Sequence, residues 1–408
     1  MTFAAGAAQE VRLLLVGRGL RAFVDGYVAV LLPAWLLALG YDIWHVGLLS
    51  SATLLGSALA TLALGAWGHH RSPRFLLLAA ALLMTATGLG FAGLTEFWPL
   101  LLVAFVGTLN PSAGDVSVFL PLEHSRLAVA ADGDARTRLF ARYSLTGALC
   151  AAFGALAAGV PDALAGLGVD RLTALRGMFV AYAGVGGVLW LLYRSLPRRP
   201  AGASTHTALP LGPSRGVVVR LAALFSVDSF AGGLVVNSLL ALWLFERFGV
   251  SLTAAGAFFF WAGLLGALSQ LAAPRVARRI GLLNTMVFTH IPASLFLILA
   301  AFSPSLGLAM AFLLLRAALS QMDVPARSAY VMAVVTPPER AAAASFTAVP
   351  RSLAAALSPT LGGALFAAGW LAAPLVACGC LKIAYDLALW RSFRSQAVDQ
   401  VVSTTDTR

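Results

Sequence analysis

Apolar residues run along this chain in long blocks, and short polar gaps rich in arginine separate them. A block of roughly 18 or more apolar residues is long enough to cross a ~30 Å hydrocarbon core as a helix. Lipid offers a backbone no hydrogen-bond partner, so such a block must satisfy its own amides and carbonyls as a helix. The pattern predicts spans at 13–40, 45–67, 74–94, 98–121, 138–160, 174–194, 216–245, 251–273, 281–302, 306–335, 343–368 and 371–392. The first, fourth, seventh and tenth are the least regular, because they carry charges.

The gaps between blocks are not alike. Arg12, Arg18 and Arg21 precede or open the first span, and Arg71 and Arg74 follow the second. Arg126, Arg136, Arg138 and Arg142 lie between the fourth and fifth. Arg194, Arg198, Arg199, Arg215 and Arg220 flank the central gap. Arg275, Arg278 and Arg279 follow the eighth span, Arg340 the tenth, and Arg391 and Arg394 the last. The alternate gaps hold only Arg171, Arg176 and Arg247. Basic residues stay in cytoplasmic loops, so both termini are expected to be cytoplasmic.

Residues 195–215 form the one long Pro/Gly/Ser/Thr-rich linker, expected to be cytoplasmic. It divides the chain into an N-terminal six-helix half, 1–194, and a C-terminal six-helix half, 216–394, with a cytoplasmic tail at 395–408. The first block lacks a cleavage-site pattern and is read as an uncleaved span. Composition agrees with a membrane protein: 60% of residues are hydrophobic, 11% are charged, and mean hydropathy is +0.86. The net charge of +11 is the loop bias summed, facing anionic lipid, and calls for no nucleic-acid partner. Of the 28 Lys and Arg residues only Lys382 is a lysine, in keeping with a GC-rich bacterial genome and an inner-membrane location. Cys150, Cys378 and Cys380 fall inside spans without a Cys/His cluster, so no metal or disulfide is expected.

The two halves repeat one another. Val24-Asp25-Gly26-Tyr27 in the first span answers to Val227-Asp228-Ser229-Phe230 in the seventh, and Asp115-Val116 in the fourth to Asp323-Val324 in the tenth. Both pairs recur at nearly the same offset across the linker, which points to duplicated, pseudo-symmetric halves. The layout resembles the major facilitator superfamily. That superfamily's loop motif, Gly-x-x-x-Asp-Arg-x-Gly-Arg-Arg, has a partial counterpart in Gly65-Ala66-Trp67-Gly68-His69-His70-Arg71-Ser72-Pro73-Arg74. Gly65 and Arg74 match, while His69 replaces the acid and Ser72 a glycine. The exporters' Gly-Pro-x-x-Gly-Gly motif of the fifth span is absent there. Ser358-Pro359-Thr360-Leu361-Gly362-Gly363 echoes its second part in the eleventh, where close helix packing is the other reading.

An ionisable residue inside a span costs at least ~2.5–3.5 kcal/mol at the bilayer centre, so it faces a cavity or a partner. These residues are Asp25, Asp115, Glu123, Asp228, Arg316, Asp323, Arg327, Arg351, Lys382 and Asp386. The resemblance implies that the first, fourth, seventh and tenth helices line the central cavity. Asp25, Asp115, Asp228 and Asp323 fall one on each. They either take protons or a cationic group, or pair with arginines that gate the helices. Arg21 stands four residues from Asp25, and Arg327 four from Asp323, each on the same helix face; Arg18 and Arg74 are further gating candidates. Asn110-Pro111-Ser112-Ala113-Gly114 should bend or unwind the fourth span, either as a binding feature or as a plain kink. Glu123 is expected to be solvated, Lys382 and Asp386 to pair along a peripheral helix, and His290 to pack. Tyr27 and Phe230 adjoin the repeated aspartates and could stack on a ligand, with Trp35, Trp243 and Trp261 nearby.

No phosphate-binding Gly-rich loop, nucleophilic triad or zinc spacing is present, so neither an enzyme nor a cofactor is expected. The expectation is a monomeric secondary transporter, working by alternating access on a small molecule with protons as coupling ion. Efflux of a cationic or amphipathic compound leads. Uptake of an anionic nutrient held by Arg18, Arg21 or Arg316 is the rival, and a non-transporting sensor or scaffold is the alternative of another class.

Overall fold

The computed structural model describes residues 5–112, 117–131, 133–198, 212–336 and 339–394. Within them the chain is helical and holds no strand. The N-terminal part contains α1 (Ala5–Ala38), α2 (Ile43–Trp67), α3 (Pro73–Gly93), α4 (Phe97–Val106), α5 (Phe119–Ala130), α6 (Gly133–Leu156), α7 (Val160–Gly166) and α8 (Arg171–Arg194). After the linker come α9 (Arg215–Gly233), α10 (Asn237–Phe248), α11 (Leu252–Ile280), α12 (Leu282–Ala301), α13 (Leu306–Ser320), α14 (Asp323–Val334), α15 (Arg340–Ala367) and α16 (Ala373–Phe393). Ten stretches among the described residues are long and apolar enough to cross a membrane. The chain is a multi-pass membrane protein. The fourth span is broken, as its 110–114 run led one to expect, and the seventh and tenth, expected as continuous spans, are broken as well.

Each break has a local cause. The fourth span stops at Val106, and Gly107 to Ser112 are non-helical around Pro111. The seventh parts after Gly232-Gly233, which the sequence reading had as continuous. In the tenth, Pro325 lacks the amide that would bond back to Gln321, and the helix restarts at Asp323. The restart puts Asp323 in a first turn, where the helix dipole favours a carboxylate.

The chain forms two compact units: Met1–Thr205 with Val236–Phe260, and His206–Val235 with Trp261–Arg408. In the first, α1 is buried along nearly its whole apolar length, with Val24, Val28, Leu31, Leu32, Trp35 and Leu36 all inaccessible. It lies against α6 through reciprocal glycines. A Cβ on Gly26 would sit 2.1 Å from the Ala151 carbonyl oxygen, and one on Gly154 1.8 Å from that of Phe23. Small residues let helix backbones approach this closely in lipid. Gly154→Ala is therefore expected to cost about 1–3 kcal/mol through overpacking. Gly177→Ala meets open space and serves as control. A loss of thermal stability in detergent for the first and none for the second checks this.

The same unit takes in α10 and the start of α11. Ser238 donates its amide to the Pro111 carbonyl at 3.0 Å and shares a hydroxyl bond of 3.0 Å with Ser50. Asn237 donates to the Ser112 carbonyl at 2.8 Å. Asp162 accepts from the Thr253 amide at 2.9 Å and hydroxyl at 3.1 Å.

In the second unit α9 packs on α15, and α12 on α13 and α16. Phe225, Met286, Tyr330, Tyr385, Leu389 and Phe393 form part of its apolar core. At one end Glu339 gathers the amides of Gly212 and Ser214 and, at 2.7 Å, the Thr336 hydroxyl. Hydrogen bonds from Ser214 first, then Thr336 and Gly212, hold its carboxyl down from 4.5 to about 2. A carboxylate with a lowered pKa stabilises the fold above its unfolded value and loses that contribution as pH falls through the folded one. Stability should thus decline from about pH 4.5 toward 2. Glu339→Gln should lower stability at neutral pH and flatten that decline, read as melting temperature against pH.

Candidate functional site

The second unit holds a partly open cavity of about 210 Å³ lined by charge. Asp228 of α9 is its hub. Its Oδ2 accepts from Arg327 Nη2 at 3.0 Å, and its Oδ1 from Lys382 Nζ at 2.6 Å. Arg327 also bonds Asp323, one turn earlier on α14, and lies 5.2 Å over the Phe225 ring. On the far side of Lys382 stands His290 of α12. Its Nε2 is 3.4 Å from Lys382 Nζ, and its Nδ1 is 3.1 Å from both carboxylate oxygens of Asp386. Lysine can only donate and a carboxylate can only accept. Nδ1 therefore serves as the donor toward Asp386, while Nε2 faces Lys382 with Asp228 Oδ1 3.9 Å away. A continuous polar chain results, from Asp386 through His290, Lys382, Asp228 and Arg327 to Asp323. All four acidic and imidazole members are nearly inaccessible. Arg316 and Arg351 also face the cavity, and Arg351 donates to Ser229 at 3.2 Å.

Several residues of this site were given plainer roles by sequence alone. The expected Lys382–Asp386 pair along α16 does not form: Lys382 turns to Asp228 on α9, and Asp386 to His290 on α12. Tertiary partners on neighbouring helices outcompete the neighbour one turn away, because Asp228, His290 and Asp386 are buried and each must find a charge or hydrogen bond, with the half-buried Lys382 between them. His290 joins this chain instead of merely packing. The signal available for these residues was their place within apolar spans.

A second buried cluster lies in the first unit. Glu123 is inaccessible, which corrects the expectation of a solvated residue. It accepts from Arg21, from Tyr143, and from Tyr193 at 2.5 Å. Arg21 donates weakly to Ser117 and Tyr143, each at 3.4 Å, and sits 4.2 Å over Phe119. Its ion pair goes to Glu123 and not to Asp25, its neighbour on α1. Asp25 is buried on the same helix, and Arg18 lies 5.2 Å over the Tyr143 ring. Arg74 bonds the carbonyls of Tyr193 at 3.4 Å and Arg194 at 2.5 Å, capping the last turn of α8.

The other candidates are scattered. The Tyr27 hydroxyl donates to the Met178 carbonyl at 3.0 Å, and its ring is buried. Phe230 is half-buried and does not line the cavity. Asn110 is buried and accepts from the Ser112 amide and hydroxyl, closing the turn at the break. The carbonyls freed there, of Pro111 and Ser112, are taken by Ser238 and Asn237. Trp35 packs on Phe179 and Trp243 on Phe248, whereas Trp261 is 54% exposed. Asp115 lies outside the described residues.

A buried charge network on broken, membrane-crossing helices is the equipment of a transporter. The family model described as Major Facilitator Superfamily matches residues 14–320. The chain belongs to that superfamily, and it is a transporter, not an enzyme. An uncharacterized membrane protein of Saccharomyces cerevisiae, YJR124C, is 25% identical over 423 residues, which cover 94% of each protein. A bacterial homolog of the human lysosomal transporter Spinster, in an inward-facing and occupied conformation, has a similar structure. Its TM-score is 0.75 at 16% identity, over 98% of this chain and 99% of that one. A D-xylose–proton symporter is similar with a TM-score of 0.74 at 16% identity, over 95% of this chain and 98% of its own. At such identities the likeness is one of fold.

Proposed function

We propose that this protein is a proton-coupled secondary transporter that moves a small solute by alternating access, with Asp228 as the carboxylate that takes the coupling proton. The observation behind this reading is the continuous titratable chain bordering the cavity of the second unit. Ionised, Asp228 ties α9 to α14 through Arg327 and to α16 through Lys382. Protonated, it would leave both cations without that partner and release the three helices from one another. Asp25, buried on α1, is the matching carboxylate of the first half. A buried ion pair that opens on protonation is a two-state element, and a proton can bias it because it binds only one of the two states.

The arginine distribution supports an orientation with both termini and the 195–215 linker in the cytoplasm, each half holding six crossings when broken helices count as one. Ser358, in the run that resembles an exporter motif, sits where a Cβ on Gly233 would come within 2.0 Å of its hydroxyl. That run serves helix packing.

Two experiments bear on this. With the three cysteines replaced by alanine, Ser195→Cys should resist an impermeant thiol reagent in intact cells, and Leu167→Cys, 82% exposed, should react. The reverse result would invert the orientation. For coupling, proteoliposomes loaded with a pH dye are offered a panel of nucleosides, pentoses, organic anions and lipophilic cations. At least one solute should move protons in the wild type. Asp228→Asn should abolish gradient-driven flux of that solute while counterflow exchange persists, and Asp25→Asn tests the companion. Full gradient-driven flux in both variants would remove these two residues from the proton path and turn attention to Asp323 and Asp115.

A further inference from the structure

The side chains around the cavity of the second unit are unequal in charge. Arg316, Arg327, Arg351 and Lys382 line it, against Asp228 and Asp323. Two of the cations are spoken for: Arg327 holds both carboxylates, and Lys382 holds Asp228. Asp386, the remaining acid nearby, bonds His290. Arg351 has a serine hydroxyl for a partner, and Arg316 has no carboxylate bonded to it among the described residues. Two half-buried guanidinium groups thus border one partly open cavity with no carboxylate bonded to either, and its four cations outnumber its two acids. An unpaired buried cation is costly, and the cost is removed when an anion enters. Guanidinium is planar, always charged, and matches the two oxygens of a carboxylate or phosphate with paired donors.

Resting on the transport reading above, we infer that this cavity receives an anionic group of the transported solute, a carboxylate or a phosphoryl group, held by Arg316 of α13 and Arg351 of α15. The volume, about 210 Å³, suits such a group with a small body attached. It lies below the roughly 300–1,000 Å³ of pockets that bury drug-sized ligands. A lipophilic cation would meet two uncompensated guanidiniums, so the charge balance opposes the cationic cargo that the sequence led one to expect. Gln321 and Ser320, also on the cavity wall, add neutral polar groups for the rest of the solute. The two arginines stand on different helices, on either side of the break that carries Asp323. An anion bridging them would tie α13 to α15 while the Asp228 clamp governs α9, α14 and α16.

The test uses the purified full-length protein in a neutral detergent, titrated at constant ionic strength with inorganic phosphate, sulfate, succinate and tetraethylammonium while the melting temperature is followed. One or more of the anions should raise it saturably, and tetraethylammonium should not. Arg316→Gln and Arg351→Gln should each weaken that apparent affinity by about tenfold or more, the order lost with a charge-assisted contact. Arg316→Lys, which keeps the charge without the fork, should fall between. Arg220→Gln, exposed on α9, should behave as wild type. Without ligand, Arg316→Gln should melt no lower than wild type, since it removes an unpaired charge; a lower melting point would mark the arginine as structural and overturn the assignment. So would stabilisation by tetraethylammonium alone, wild-type anion affinity in the glutamine variants, or no anion shift at all. A shift with phosphatidylglycerol micelles and with none of the free anions would hand the arginines to a lipid headgroup, which also overturns it. Asp228-dependent proton movement with an uncharged solute would leave the transport reading standing while this inference fell.

Discussion

Arg327→Gln should destabilise the protein by about 3–5 kcal/mol, the range for removing one partner of a buried ion pair. The side chain is the only cation that bonds both Asp228 and Asp323 among the described residues, and all three are buried. Glutamine keeps most of the volume, so the loss is electrostatic. Asp323 is left with no bonded cation among the described residues, and Asp228 keeps Lys382, with His290 3.9 Å away. Adding Asp323→Asn to the variant removes the stranded charge and should recover a large part of the stability. Thermal unfolding in detergent, read as a double-mutant cycle, measures the coupling. Simple additivity of the two substitutions would show that the Arg327–Asp323 pair does not act as a unit.

Glu123→Leu should have an effect of the same order in the first unit, about 3–5 kcal/mol. Glu123 is the acceptor on which Arg21, Tyr143 and Tyr193 converge, and it is fully inaccessible. Leucine would strand a buried guanidinium and two phenolic hydroxyls. Tyr143→Phe removes one donor and leaves the ion pair, so it should cost only ~1.5–3 kcal/mol, the range for a hydrogen bond to a charged group. The ordering of these two variants is the informative readout. Equal losses would mean that the Tyr143 bond carries the cluster. No loss for Glu123→Leu would mean that the cluster is not a stabilising feature in detergent.

The extent of what could be read beforehand differs between backbone and site. The apolar blocks marked where the membrane-crossing helices lie, since hydrocarbon thickness sets their length and hydropathy their place, but not their ends: α1 begins at Ala5 and α11 runs on to Ile280, beyond the expected 13–40 and 251–273. The Asn110-Pro111 break was legible because proline removes an amide wherever it stands. The break after Gly233 was not, because two glycines inside an apolar block are compatible with a continuous helix. Asp228, Asp323, Arg327 and Arg316 stood out as charges inside spans, and the structure brings all four to one cavity. His290, Lys382 and Asp386 were equally visible but were assigned to packing and to a local pair.

The sequence by itself determined the class of protein, the helices and the short catalogue of intramembrane charges, because these follow from local composition and from the cost of placing polar groups in lipid. Only the tertiary structure decided who pairs with whom. Arg21 could meet Asp25 along α1 or Glu123 across from it, and Lys382 could meet Asp386 along α16 or Asp228 on α9. Separation of four residues makes the local pair available, but both times the bond went to another helix. A buried charge is stabilised by whichever partner the packed backbones bring closest, and that distance is set by helices far apart in the chain. The same packing left Arg316 and Arg351 facing the cavity with no carboxylate bonded to either, a property of the arrangement that no spacing of residues along the chain could express.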